Sequence, residues 1–243
     1  MNSPKNRTLH PATVTHIEDV TPRMRRITLI GDGLRTLPVS LPGQWMKIFF
    51  PAPPGEKPHG RAYTIRRFDP AAGVMEVDFV LHGDTGPASR WASTARPGDI
   101  LQLAGPRAGY RIDPHAPAQL LIGDATALPA IAAILDALPE GISAHVFAEV
   151  AGEAEEQNFA SRANLTIDWV HSGTEAPGTT GKLELVVQQA ILPASPQVWL
   201  AGESFMVRAI LTHLLFDRGI LHTSIDSAGY WKFGAADHRD SNA

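Results

Sequence analysis

The chain contains no cysteine. Disulfides, iron–sulfur clusters and thiolate metal sites are therefore excluded, and any redox chemistry must come from a bound cofactor. A basic excess is also missing. The formal net charge is −4 at neutral pH, which argues against a nucleic-acid partner. The start of the sequence, MNSPKNRTLHPATVTHIED, lacks the apolar core of a secretory signal. The apolar stretch at residues 120–138 is broken by Asp124, Pro129 and Asp136, the wrong pattern for a membrane helix. None of the ten histidines stands in H-x-x-x-H or H-x-H spacing, so no metal site is expected. Internal repeats and low-complexity tracts are absent. A cytoplasmic, monomeric protein with no membrane or nucleic-acid partner is the expectation.

What is present reads as two domains. With 243 residues, 44% hydrophobic and 19% charged, the chain has the composition of an ordinary folded protein. Residues 13–15, 25–30, 45–50, 61–66, 74–81 and 100–103 are short runs rich in β-branched or aromatic residues, separated by Gly, Pro and Asp clusters. That pattern predicts an antiparallel six-stranded β-barrel over residues 1–114, with a helix at 89–95 as its plug. Residues 105–119 are rich in Pro, Gly and Ala and read as a linker. From 115 to 243, strands at 120–122, 143–149, 165–170 and 198–201 alternate with helices at 128–138 and 204–218 and a Glu-rich helical piece at 152–160. This predicts a parallel-sheet α/β domain.

The segment around Arg61-Ala62-Tyr63-Thr64 carries the most chemistry. Side chains on a strand repeat every second residue, so Arg61 and Tyr63 share a face and Thr64 turns to the other face or to the strand end. A guanidinium, a flat ring and a hydroxyl suit a ligand with a phosphate and a planar ring system, such as flavin adenine dinucleotide. The same pattern also fits a half-buried edge strand. Gly86-Pro87-Ala88-Ser89 strengthens the first reading, because glycine permits close backbone approach and Ser89 opens a helix with free N–H groups. In the second domain, Ile122-Gly123-Asp124-Ala125-Thr126 and Leu200-Ala201-Gly202-Glu203-Ser204 end strands and enter helices. Ligands of open parallel sheets bind at such places, although ordinary strand ends look alike and neither segment is a G-x-G-x-x-G fingerprint.

The order R-x-Y-T, V-D-F-V-L-H-G, G-P-A-S-R-W-A, P-G-D and A-G-P resembles the siderophore-interacting proteins. These are flavin-dependent ferric-siderophore reductases distantly related to ferredoxin reductases. The resemblance continues through Gly123-Asp124-Ala125-Thr126-Ala127-Leu128-Pro129-Ala130, Ala201-Gly202-Glu203 and Gly229-Tyr230-Trp231-Lys232, covering nearly the whole chain. It implies FAD as cofactor, with Arg61 on the diphosphate, Tyr63 against the ring and Thr64 near the reactive nitrogen. Gly86, Ala88 and Ser89 would complete the phosphate site and His82 would lie near the ring edge. It also implies NAD(P)H as donor, held by Gly123, Asp124, Thr126 and Ala127 in one loop and Gly202 and Glu203 in the other.

The substrate implied is a ferric siderophore, many of which are anionic, with Lys47, Arg111 and Lys232 as the candidate charges. Trp231 would contact the cofactor from a C-terminal tail returning toward the flavin, or simply anchor that tail. One departure concerns the donor. Ser172 stands where an arginine could meet the 2′-phosphate of NADPH, with Arg162 or Arg208 as substitutes, so NADH and NADPH both stay open, as does ferredoxin. A flavoprotein reductase with another acceptor (free flavin, a quinone, an electron-carrier protein) and a non-catalytic siderophore- or flavin-binding protein are the alternatives.

Overall fold

Period-two alternation of apolar residues governs the first hundred residues, and the chain folds accordingly. The computed structural model describes residues 8–52, 55, 58–82 and 86–235. It divides into two compact units between Gly109 and Tyr110. In the first unit the strands are β1 (His10–Thr21), β2 (Met24–Ile30), β3 (Trp45–Phe50), β4 (His59–Thr64), β5 (Arg67–Asp69), β6 (Val74–Val80) and β7 (Ile100–Arg107). They form one sheet of seven strands in the order β4-β3-β7-β1-β2-β6-β5, with all six neighbouring pairs antiparallel. Alternate residues of these strands, among them Ile27, Leu29, Met46, Ile48, Phe50, Met75, Val77, Phe79, Leu101 and Leu103, make one buried core.

Strands β4 and β5 stand at opposite ends of that row, yet only Ile65 and Arg66 separate them in sequence. The sheet therefore has to curl until its ends meet. The Ile65 N–H donates to the Gln44 carbonyl (2.8 Å), and the Arg66 N–H donates to the Glu76 carbonyl on β6 (2.9 Å). Helix α1 (Pro87–Thr94) buries Ala88 and Ala92 in the same core, where its Trp91 packs against Phe50 (5.4 Å between centroids) and Phe79 (5.7 Å). Seven strands replace the expected six because β5, three residues long, is too short to show alternation.

The second unit contains β8 (Ala118–Asp124), β9 (Ser143–Val150), β10 (Asn164–His171), β11 (Gln197–Glu203) and β12 (Ile225–Trp231) in a parallel sheet of order β10-β9-β8-β11-β12. Every residue of central β8 is buried, as both faces of a parallel sheet are covered. Its helices are α2 (Leu128–Ala137), α3 (Lys182–Gln189) and α4 (Ser204–Thr212), the last continuing into a wider π-type turn at His213–Asp217. Leu183 and Val187 of α3 and Met206, Val207 and Ile210 of α4 pack on Leu120, Ile122, Phe147, Val198 and Leu200.

Several expectations are corrected here. The Glu-rich piece at 152–160 holds only a short turn at Glu153–Glu155, because it has no apolar stripe to bury. Helix α3 was not expected. The linker shrinks from 105–119 to the residues between Arg107 and Ala118. Tyr110 within it is 1% exposed and donates to Gln119 Oε1 (2.8 Å), so this stretch belongs to the second unit. Gly229, Tyr230 and Trp231 are not a loose tail but the end of the fifth strand, paired with β11. No helix among the described residues is long and apolar enough to cross a membrane.

A ladder of charge crosses the outside of the barrel. Arg26 on β2 lies opposite both Glu18 on β1 and Asp78 on β6. Its guanidinium grips Asp78 through two bonds of 2.7 and 2.8 Å, and the Asp78 side chain is only 1% exposed. Replacing Asp78 with Ala leaves the largely covered Arg26 with only its longer ion pairs, to Glu18 (3.7 Å) and Glu76 (3.8 Å). The expected loss is about 2 kcal/mol for the N-terminal unit, that of charge-assisted hydrogen bonds, read as a lower urea midpoint at unchanged slope.

Candidate cofactor and substrate sites

On β4 the register decides which side chains share a face. Arg61 lies opposite Ile48 and Tyr63 opposite Met46, whereas Lys47 lies opposite Ala62. Opposed residues project to the same side and neighbours alternate. Arg61 and Tyr63 thus share one face of the sheet. Lys47 is on the other, where its stem lies over Gly60 and its Nζ sits 5.7 Å from the Phe49 ring centroid.

Tyr63 is fixed by aromatic packing, 4.3 Å from Phe79 and 6.0 Å from Phe50 between ring centroids. Burial pushes its phenol well above the usual tyrosine range, with the Arg61 charge opposing. It remains a neutral hydrogen-bond donor and has no use as a base. Thr64, 6% exposed, ends the strand.

Because Tyr63 and Trp91 share Phe50 and Phe79 as neighbours, α1 lies beside this face. The N-cap of α1 is Gly86, which has no side chain to cap the helix. Among the described residues, a Cβ at Gly86 would meet only His82 Cε1, at 3.8 Å. Ser89 is 2% exposed, and its hydroxyl oxygen accepts the His82 N–H (3.2 Å), tying the entry loop to the helix. Ala88 is buried at 7% and can offer a ligand only its backbone. A cation, a held phenol ring and a helix N-terminus that begins at a glycine fit the diphosphate and planar ring of a flavin dinucleotide. Arg66, which no local motif marks in the sequence, adds a further buried cation at the barrel seam.

The carboxyl ends of the parallel strands are organised around Asp124, which is 1% exposed. Its Oδ1 accepts the Thr126 N–H (2.8 Å) and hydroxyl (2.6 Å). Its Oδ2 accepts the Glu203 N–H (2.7 Å) and the Trp231 indole N–H (2.8 Å). Gly178 and Gly202 close around it. A Cβ on either would lie 2.7 or 2.6 Å from Asp124 Oδ2, and both hold φ values, +87° and +142°, that disfavour side chains. Glu203, 2% exposed, turns Oε2 onto the N–H groups of Phe205 (2.5 Å) and Met206 (3.1 Å), capping α4, and Oε1 onto the Phe233 N–H (3.0 Å). Gly123 serves packing, since a Cβ there would strike Ala127 and the Ala201 carbonyl.

Glu149 escaped the sequence reading. It is fully buried near the end of β9 and accepts the Gly178 N–H (2.8 Å) and the Thr180 hydroxyl. The signal was available: β8, β9 and β11 each place an acid at or next to the end of an apolar run, as Gly-Asp124, Ala-Glu149 and Gly-Glu203.

The candidate substrate charges do not gather in the second unit. The Arg111 carbonyl accepts from Gln197 Nε2 (2.8 Å) at the start of β11. Lys232 follows Trp231, which pairs with Glu203 at the end of that strand. Their backbones are therefore about 20 Å apart along the sheet. Lys232 Nζ lies 4.7 Å from the Phe205 ring centroid. Ser172, 3% exposed, donates to the Glu175 carbonyl (2.9 Å). Arg162 precedes β10 and pairs its carbonyl with the Gly141 N–H, at the far end of the strand from Ser172.

Comparison with known proteins gives concordant matches. The family described as "Siderophore-interacting protein" matches residues 116–234. The "Siderophore-interacting FAD-binding domain" matches residues 13–59 and 52–110. The crystal structure of a siderophore utilization protein from T. fusca is 34% identical, with a TM-score of 0.87 and 95% of each chain covered. Ferric vibriobactin reductase ViuB of Vibrio cholerae is 29% identical over 88% of this chain and 86% of its own. Ferredoxin reductase in carbazole 1,9a-dioxygenase, at 21% identity and TM-score 0.71 over 92% of this chain and 69% of that one, shares the fold.

Asp124 gives the second unit a titration of its own. Burial raises its carboxyl to about 6, against hydrogen bonds from Thr126, Trp231 and Glu203 that pull it down. The folded state then holds a proton that the unfolded chain has released above its ordinary value of 3.8. This contribution to stability is complete below pH 3.8 and lost as pH rises through 6, in total about 3 kcal/mol. A carboxyl carbon resonance of Asp124 titrating with a midpoint near 6, together with a matching fall in unfolding free energy that Asp124→Asn lacks, is the expected result.

Proposed function

The chain belongs to the siderophore-interacting protein family, and we propose that it is an FAD-dependent reductase of ferric siderophores. It works in the cytoplasm and draws its electrons from a reduced nicotinamide nucleotide. Overall, one reduced nicotinamide loses a hydride and leaves as the cation, while two Fe(III) centres each gain one electron and one proton is released. The iron arrives inside its siderophore and needs no ligand from the protein. When bound, the flavin supplies the conversion between a two-electron donor and a one-electron acceptor.

The residues of the first unit bind and orient. Arg61 would pair with the diphosphate, and the backbone of Ala88 and Ser89 at the start of α1 would add N–H donors to it. Tyr63, clamped by Phe50 and Phe79, would present a neutral ring and hydroxyl to the planar system. Thr64 would offer its hydroxyl at the strand end. The reading is carried by one observation, the shared face of Arg61 and Tyr63 beside the helix that begins at Gly86. Among the candidate charges, Lys232 stays with the parallel sheet's carboxyl end as a contact for an anionic siderophore.

The purified protein, kept anaerobic, is expected to show flavin bands that bleach with NADH or NADPH. They should return when a ferric siderophore and a ferrous trap are added. Bleaching without return on iron would assign the protein another acceptor, and a flavin that no nicotinamide bleaches would make it a binding protein. Arg61→Ala should weaken FAD binding about tenfold or more, the loss of a charge-assisted bond, measured by flavin fluorescence on titration.

A further inference from the structure

Parallel α/β sheets hold nucleotide phosphates on the N–H groups of helices that begin at the carboxyl ends of strands. In this protein side chains and turns already take donors at each of these helix starts. At α4, Glu203 Oε2 takes the Phe205 and Met206 N–H groups. At the turn into α2, the Thr126 N–H and hydroxyl go to Asp124 Oδ1, and the Ala127 N–H goes to the Asp124 carbonyl (2.9 Å). The first turn of α2 is closed to solvent, with Ala127 and Ala130 at 0% and Leu128 at 1% exposure.

At helix α3 the first donor is also taken. The Lys182 N–H goes to Thr180 Oγ1 (3.1 Å), and burial first, then the charges of Glu149 and Glu203, raise the Glu184 carboxyl. The space beside Asp124 Oδ2 is filled by Gly178 and Gly202. A pyrophosphate brought to these strand ends would find buried carboxylates of Asp124, Glu149 and Glu203 where it needs donors.

We propose that Asp124 and Glu203 set the electron-donor specificity of this protein. Standing where a dinucleotide's pyrophosphate would otherwise be received, they exclude it, and the donor is accepted through its reduced nicotinamide ring alone. This rests on the reductase reading above and narrows it: the adenylate half of the donor contributes nothing, and a 2′-phosphate is neither rewarded nor refused. Glu149 extends the same exclusion along β9.

The decisive measurement is calorimetric titration of the FAD-loaded protein with ADP-ribose, the donor's half without nicotinamide. Loading with FAD keeps the probe out of the flavin's own adenylate site. A dissociation constant weaker than about 1 mM is expected, and tighter binding overturns the proposal. In rapid mixing, NADH, NADPH and reduced nicotinamide mononucleotide should reduce the protein with second-order constants within about threefold of one another. A hundredfold advantage for the dinucleotides would overturn it too.

Glu203→Ser removes the charge while keeping a good helix cap, and should tighten ADP-ribose binding at least about fivefold. A folded variant that gains nothing overturns the assignment to Glu203. Where the variant fails to fold, the wild-type titration decides. Failure of the reductase reading shows separately, as a protein that takes up no FAD or passes no electrons to iron, whereas the heat of ADP-ribose binding needs no turnover.

Discussion

A carboxylate taken out of water must be met by donors, and four of them organise this protein: Asp78, Asp124, Glu149 and Glu203, each at most 4% exposed. Leaving any one unpaired would cost several kcal/mol, so the surrounding chain is arranged to supply hydrogens. Asp78 requires Arg26 directly across the β2–β6 pair and so helps to fix that register. Asp124 requires donors from β11 and β12 at once, which aligns the ends of those strands with β8. Glu149 fixes the approach of the 178–180 segment, and Glu203 the start of α4. The glycines at 178 and 202 follow from this, since only a residue without a Cβ can pass so near Asp124.

In the barrel the demand is topological. The strand that presents Arg61 and Tyr63 also runs, through Ile65 and Arg66, into the strand that closes the far end of the sheet. Position of the candidate flavin face and closure of the barrel are thus one property. Tyr63 cannot shift without disturbing Phe50 and Phe79, which are core residues. The face is therefore held by the same packing that holds the fold.

Alternation made most of the barrel legible in the sequence, and the strand–helix rhythm made the parallel unit legible. What escaped has physical reasons. Strand β5 spans a single alternation, too little to stand out, and residues 152–160 have helix-forming composition without an apolar stripe to anchor a helix. Helix α3 did carry a stripe, Leu183, Val186 and Val187, that could have been read. The face of Lys47 depends on its register against β4, which no local pattern reveals. Asp124 and Glu203 were found at their strand ends, but the direction of their oxygens was not, because two of the donors to Asp124 lie 79 and 107 residues further along. Nothing near Asp124 in sequence announces that it will be sealed from within.

That separation has a consequence in time. A ribosome adding about 5–20 residues per second delivers Trp231 roughly 5–20 s after Asp124. Throughout that interval the end of β8 exists with its acid lacking the indole, and for most of it lacking the Glu203 N–H as well. A lone carboxylate of this kind favours water over burial, so the emerging half-sheet stays open at its carboxyl end. The barrel has all its strands by Arg107 and can close while the rest is still being made. The parallel unit has to wait for the arrival of its last strand.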